Sequence, residues 1–205
     1  RRLSREGDAS VLPQRERSVP DVSGLSAELA TESGLALRGT LIHKLFEFAL
    51  RKSELPRLTD NKKQLFIKEL LENGLSFDSA LKEVEIIAET IVKTADSPLA
   101  PWLFTDPDWI REPEFPIVEE IDGEPKTGIL DLVLRHISKP EVYILDFKTG
   151  QPVIGESEQA FEERMKTLYW EQLESYQRVY ERFRGTRAEM CLYLTHTQSL
   201  IRFGN

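Results

Sequence analysis

The distribution of apolar and polar positions changes at about residue 35. Residues 1–34 hold five Arg against six acids, several Ser and Gly, Pro13 and Pro20, and no sustained apolar period. That composition reads as an extended linker or tether, leaving 35–205 as the folded domain. From Leu37 the spacing turns helical, with Leu37, Leu41, Leu45 and Phe48 on one stripe. Helices are predicted again over 61–73 and 77–95, with Pro98 and Pro101 closing the helical block. Strands are predicted over 110–119, 126–136 and 141–148, a long helix over 158–184, and strands over 188–196 and 199–203. Helices, three strands, a helix and further strands describe an α/β fold, a mixed sheet flanked by helices behind an N-terminal helical block.

Charge interrupts two of these strands. Alternation sets Val142, Ile144, Asp146 and Lys148 on one face, with Asp146 and Lys148 roughly 7 Å apart. Burying either charge is costly without compensation, and a divalent cation is one compensator that also supplies chemistry. A second acid, Asp131, breaks the apolar run of residues 128–134. The polar link from Arg135 to Glu141, which contains Pro140, predicts a hairpin that sets Asp131 beside Asp146.

Other candidates carry duller alternatives. Gly39, His43 and Glu47 share one helical face. His43 and Glu47 alone could be an ordinary surface pair, but a glycine one turn earlier lets something approach the backbone. Glu112 and Glu114 alternate onto the same strand face, so spacing does not choose between them. Gln172 and Tyr176 lie one turn apart on the long helix, where Tyr169, Leu173, Tyr176, Tyr180 and Phe183 also form a core stripe. His136 and His196 show no ligand pattern and receive no role.

With 40% apolar and 30% charged residues, 205 residues suffice for one domain with a sizeable core. The chain has no run of 18 apolar residues, so no membrane span is expected, and its start lacks the apolar core of a signal peptide. It begins without Met, which suggests a fragment of a longer polypeptide. Cys191 is alone, cannot form an intrachain disulfide, and reads as core.

Five motifs occur in order: Gly39-Thr-Leu-Ile-His43-Lys-Leu-Phe-Glu47, Arg111-Glu112-Pro-Glu-Phe115, Asp131, Asp146-Phe-Lys148 and Gln172-Leu-Glu-Ser-Tyr176. Together, across residues 37 to about 203, they resemble the PD-(D/E)xK nuclease signature as found in helicase-nucleases of the RecB/AddA type. The resemblance implies a restriction-endonuclease-like αβββαβ core. It implies a metal-dependent DNA exonuclease domain that processes double-strand breaks for recombinational repair. Mg²⁺, or Mn²⁺ in its place, would be held by Asp131 and Asp146, with His43 on the metal or phosphate side and the Phe147 carbonyl as a further ligand. Glu112 would complete the metal site with His43, and is favoured over Glu114 because the family acid precedes the phenylalanine by three positions as Glu112 precedes Phe115.

Asp131, Asp146 and Lys148 would carry catalysis, with Lys148 orienting the attacking water or helping to deprotonate it. Gln172, Tyr176 and Thr149 would contact DNA or orient the site. A single cysteine excludes the four-cysteine iron–sulfur cluster of some relatives. The implied partners are DNA, helicase domains of the same polypeptide and a second helicase-nuclease subunit, in the bacterial cytosol at the nucleoid. A net charge of −8 opposes gripping DNA with the whole surface, and suits a domain fed DNA by an attached motor. The alternatives are a stand-alone exonuclease or endonuclease, or a degenerate nuclease fold that only binds DNA or a partner.

Overall fold

A computed structural model of the chain describes residues 23–121 and 124–203. Three helices come first, α1 (Ser23–Lys52), α2 (Asp60–Glu72) and α3 (Phe77–Asp96), then a π-helical turn at Pro101–Thr105. Strands β1 (Trp109–Ile121), β2 (Glu124–His136) and β3 (Val142–Lys148) precede α4 (Glu158–Arg184), β4 (Glu189–Leu194) and β5 (Ser199–Phe203). The five strands lie side by side in chain order, antiparallel except for β3 and β4. A parallel pair needs a long crossover, and α4 provides it. Ser157 opens α4 by accepting the Ala160 N–H at 3.2 Å, and Gly185 ends it at φ +66°. This mixed sheet flanked by helices, with a helical block ahead of it, is the restriction-endonuclease-like architecture expected.

Helices cover both faces of the central strands, which is why β3 and β4 read as near-continuous apolar runs. On one face Leu145, Phe147, Cys191 and Tyr193 pack against Leu41, Leu45 and Phe46 of α1 and Ile87 of α3. On the other, Ile144 meets Val179 and Tyr180, while Leu192 and Leu194 meet Phe161, Met165 and Leu173 of α4. Cys191 is buried as expected, and burial pushes its thiol up to about 12. Phe46 is fully buried, with its ring centroid 5.0 Å from Phe147 and 5.6 Å from Phe104. It fastens α1 to the end of β3, and truncating such a ring to alanine costs about 3–5 kcal/mol.

Three expectations change. The helix begins at Ser23, so the last part of the supposed tether is helical. Ala27, Glu28, Leu29 and Ala30 favour helix intrinsically, without needing an apolar period. The rest of the tether, residues 1–22, lies outside the described residues. Pro101 opens the π-helical turn rather than closing the block, since a missing N–H costs nothing at a first turn. Arg111, expected within a catalytic strand motif, instead donates to the carbonyls of Leu103, Asp106, Trp109 and Trp102 at 2.7–3.0 Å, clamping that turn to β1. Among the described residues, no helix is long and apolar enough to cross a membrane.

Candidate active site

The β2–β3 ladder stops at Leu132 and Leu145. Where the next rung would form, Asp131 Oδ2 accepts the Phe147 N–H at 2.7 Å, so a side chain replaces the backbone partner as the strands part. The hairpin therefore brings Asp131 to the end of β3, near enough for its charge to act on Asp146. The second oxygen, Asp131 Oδ1, is 3.3 Å from His43 Nδ1. His43 Nε2 lies 2.9 Å from the Phe147 carbonyl oxygen. Helix α1 reaches this point because residue 39 is glycine: a Cβ there would stand 3.0 Å from Thr149 Oγ1. Thr149 thus sits against the helix one turn before His43.

Strand alternation places Lys148 with Asp146 on the α4 side. Lys148 Nζ is 2.6 Å from Asp146 Oδ2 and 4.2 Å from the centre of the Tyr169 ring. Asp146 is only 5% exposed. Its Oδ2 is buried, and the ammonium approaches as an ion-pair partner without completing a well-angled hydrogen bond.

Burial, then the charge of Asp131, push the Asp146 carboxyl up to about 6, although Lys148 and His43 pull it back. Burial lowers the His43 pKa, but the Asp131 hydrogen bond and the charges of Asp131 and Asp146 outweigh it and leave the imidazole above its ordinary value. An imidazole facing an acceptor on each nitrogen satisfies both only when doubly protonated. Lys148 follows the same balance: burial depresses its pKa, and Asp146 lifts it above the lysine value. Two carboxylates at one strand end are thus held beside an ammonium and an imidazole whose pKa values they raise.

The strand acid is not where the motif put it. Glu112 accepts from Arg135 at 2.7 Å and from Arg184 at 3.1 Å, tying β1 to β2 and to the end of α4, away from the site. Glu114 takes the place expected of Glu112. With Gly39, His43, Lys44, Glu47 and Asp131 it lines a cavity of about 430 Å³. Burial, then the charges of Asp131 and Glu47, raise its pKa. The reason is local: Glu114 has φ +52° and faces Asp131 in the β1–β2 register at a position that makes no rung. This left-handed residue inside a strand breaks the alternation, so Glu112 and Glu114 do not share a face. Such strain in a non-glycine residue is characteristic of functional sites.

Gln172 donates to the Tyr176 hydroxyl at 2.8 Å, so the two satisfy one another, and Tyr176 packs between the two apolar clusters under α4. The α4 aromatic in contact with Lys148 is Tyr169 instead. Its position on the same stripe as Leu173 and Tyr176 was the available signal.

Two carboxylates and a main-chain carbonyl are oxygen donors suited to Mg²⁺ or Mn²⁺, and the His43 imidazole would add a nitrogen only in its neutral form. Among the described residues they do not form a closed cage of three or more side chains. His43 spans from Asp131 to the Phe147 carbonyl, and Asp146 turns to Lys148. The donor chemistry fits a divalent cation, and Asp146, buried with a raised pKa despite its Lys148 partner, is the carboxylate whose charge such an ion would compensate.

A family model described as the PD-(D/E)XK nuclease superfamily matches residues 16–199. No curated protein matches the chain. Among solved structures, protein VC1899 from Vibrio cholerae is 16% identical with a TM-score of 0.29, over 88% of this chain and 48% of that one. The chain spans about half the length of that protein.

Proposed function

The chain belongs to the PD-(D/E)XK nuclease superfamily, and we propose on that premise that it is a metal-dependent deoxyribonuclease hydrolysing phosphodiester bonds. The observation that carries the reading is the meeting of Asp131, Asp146, the Phe147 carbonyl and Lys148 at one strand end, with His43 bridging two of them.

Hydrolysis needs a water aligned with the leaving oxygen and positive charge for the developing phosphorane. Asp131, Asp146 and the Phe147 carbonyl, with His43 at their edge, would hold the cation, which supplies Lewis-acid polarisation of the phosphate. Lys148 is held above the ordinary lysine range by Asp146, so its ammonium stays charged and can donate hydrogen bonds. Its role is to orient the attacking water and stabilise phosphate charge. The Tyr169 face fixes where that ammonium points. His43 keeps Asp131 and the Phe147 carbonyl in register with one another.

The finer reading is an exonuclease of the RecB/AddA type, acting with helicase domains and a second subunit in double-strand break repair. Its support is the Gly39–Glu47 helix motif, whose glycine and histidine both serve the site, and a net charge of −8 that suits DNA delivered by a motor. Incubating the chain with linear DNA and Mg²⁺ beside Asp146→Ala tests the proposal: degradation by the first and none by the second is expected. Equal behaviour of the two would overturn it.

A further inference from the structure

The exposed face of α1 beyond the site carries cations around an exposed aromatic ring in a chain of net charge −8. Lys44, which lines the cavity with His43, begins a stripe that continues at spacings of four through Phe48 to Lys52. From His43 to Lys52 the helix advances about 14 Å. Phe48 is 46% exposed, so nearly half of its surface is open to solvent. Two ammonium groups attend its ring: Lys52 at 4.4 Å and Lys62, from α2, at 3.8 Å from the centroid.

Several neighbouring charges are already matched. Glu69 holds Lys44 at 2.6 Å, Glu47 holds Arg51 at 2.8 Å, and Asp60 holds Lys63 at 3.2 Å. Among the described residues, no carboxylate pairs with Lys52 or Lys62. Instead both attend the one ring, and burial together with the charge of Lys52 lowers the pKa of Lys62. Two like charges kept together without an anion form an arrangement that an arriving phosphate would relieve.

We propose that Lys52, Phe48 and Lys62 form a track for an unpaired nucleic-acid strand, with a base stacking on Phe48 and flanking phosphates taken up by the two lysines. The occupant is set by the chemistry of the patch. A partly exposed aromatic ring beside two cations suits a strand whose base faces are free, and a duplex offers its phosphates but not its stacked bases. Its direction is set by continuity with the cavity through Lys44. The inference that the strand runs on to Asp131 and Asp146 rests on the nuclease reading above.

Fluorescence anisotropy with the whole chain, at low salt in Ca²⁺, tests the track with a labelled single-stranded oligonucleotide and a blunt duplex of the same sequence. Phe48→Ala should weaken single-strand binding roughly tenfold, and Phe48→Trp should restore it. Lys62→Gln should reduce the salt dependence of single-strand binding by about 0.7 in log–log slope. Lys139→Gln, in the β2–β3 connection, should leave both affinities as they are. Single-strand affinity unchanged by Phe48→Ala and Lys62→Gln overturns the track. Equal losses for single strand and duplex overturn the stacking role. Absence of single-strand binding by the unmodified chain overturns the whole proposal. If the unmodified chain leaves linear DNA intact with Mn²⁺ while these variants still lose single-strand binding, the nuclease reading fails and the track stands.

Discussion

Replacing Asp146 by asparagine should stabilise the metal-free protein at neutral pH, and by an amount that depends on pH. The folded-state pKa of Asp146 is about 6 against an ordinary value of 3.8. Between those values the folded chain binds a proton that the unfolded chain has released, so this group's contribution to stability falls as pH rises through that window and is constant above it. A shift of roughly 2 units at ~1.36 kcal/mol each gives a penalty of up to about 3 kcal/mol at pH 7.5. Asparagine has the shape of the protonated acid and never carries the charge. The two proteins should therefore unfold alike near pH 4, and the variant should be more stable by about 1–3 kcal/mol at pH 7.5, or roughly 3–10 °C in Tm for a chain of this size. Thermal unfolding in EDTA from pH 4 to 7.5 measures the difference directly. Mn²⁺ at pH 7.5 should then raise the Tm of the wild type and not of the variant, because only the wild type retains the ligand. A wild type as stable as Asp146→Asn across the whole range, or equal shifts with Mn²⁺, would refute the claim that Asp146 is a strained, ion-ready carboxylate.

The two strand acids should separate by assay: Glu114→Gln should lower nuclease turnover at least tenfold with little change in stability, whereas Glu112→Gln should lower stability by about 1 kcal/mol or less, as partly exposed ion pairs do, with turnover retained. Lys148→Ala should cut single-turnover cleavage of pre-bound DNA far more than DNA affinity, and a defect that vanishes at saturating DNA would reduce it to a phosphate contact. Gly39→Ala gains about 1 kcal/mol of helix propensity but meets Thr149 at 3.0 Å, so chemical denaturation should show Gly39→Ala/Thr149→Ala more stable than Gly39→Ala by more than Thr149→Ala differs from wild type.

Much of the scaffold was legible because its signals are local. The long α4 appears over the predicted 158–184, and β3 and β5 deviate by a residue at most, since serine and glycine caps and apolar runs act within a few residues. Asp146 and Lys148 share a face as alternation requires, because β3 is a regular strand with helices on both sides. The start of α1 was hidden, since residues 23–34 are helical by propensity and not by apolar period.

The sequence by itself determined the order of the elements, the acid and lysine at the end of β3, and the glycine that admits a helix one turn before a histidine. Those features depend on neighbours in the chain. Only the tertiary structure decided that Glu114 joins the site and Glu112 leaves it, because the decision rests on one left-handed residue facing Asp131 across strands and on two arginines supplied by β2 and α4. It also decided that Tyr169, and not Gln172 or Tyr176, meets the lysine. Alternation and helical stripes name a face, but which residue on that face touches a charge depends on where two distant segments end.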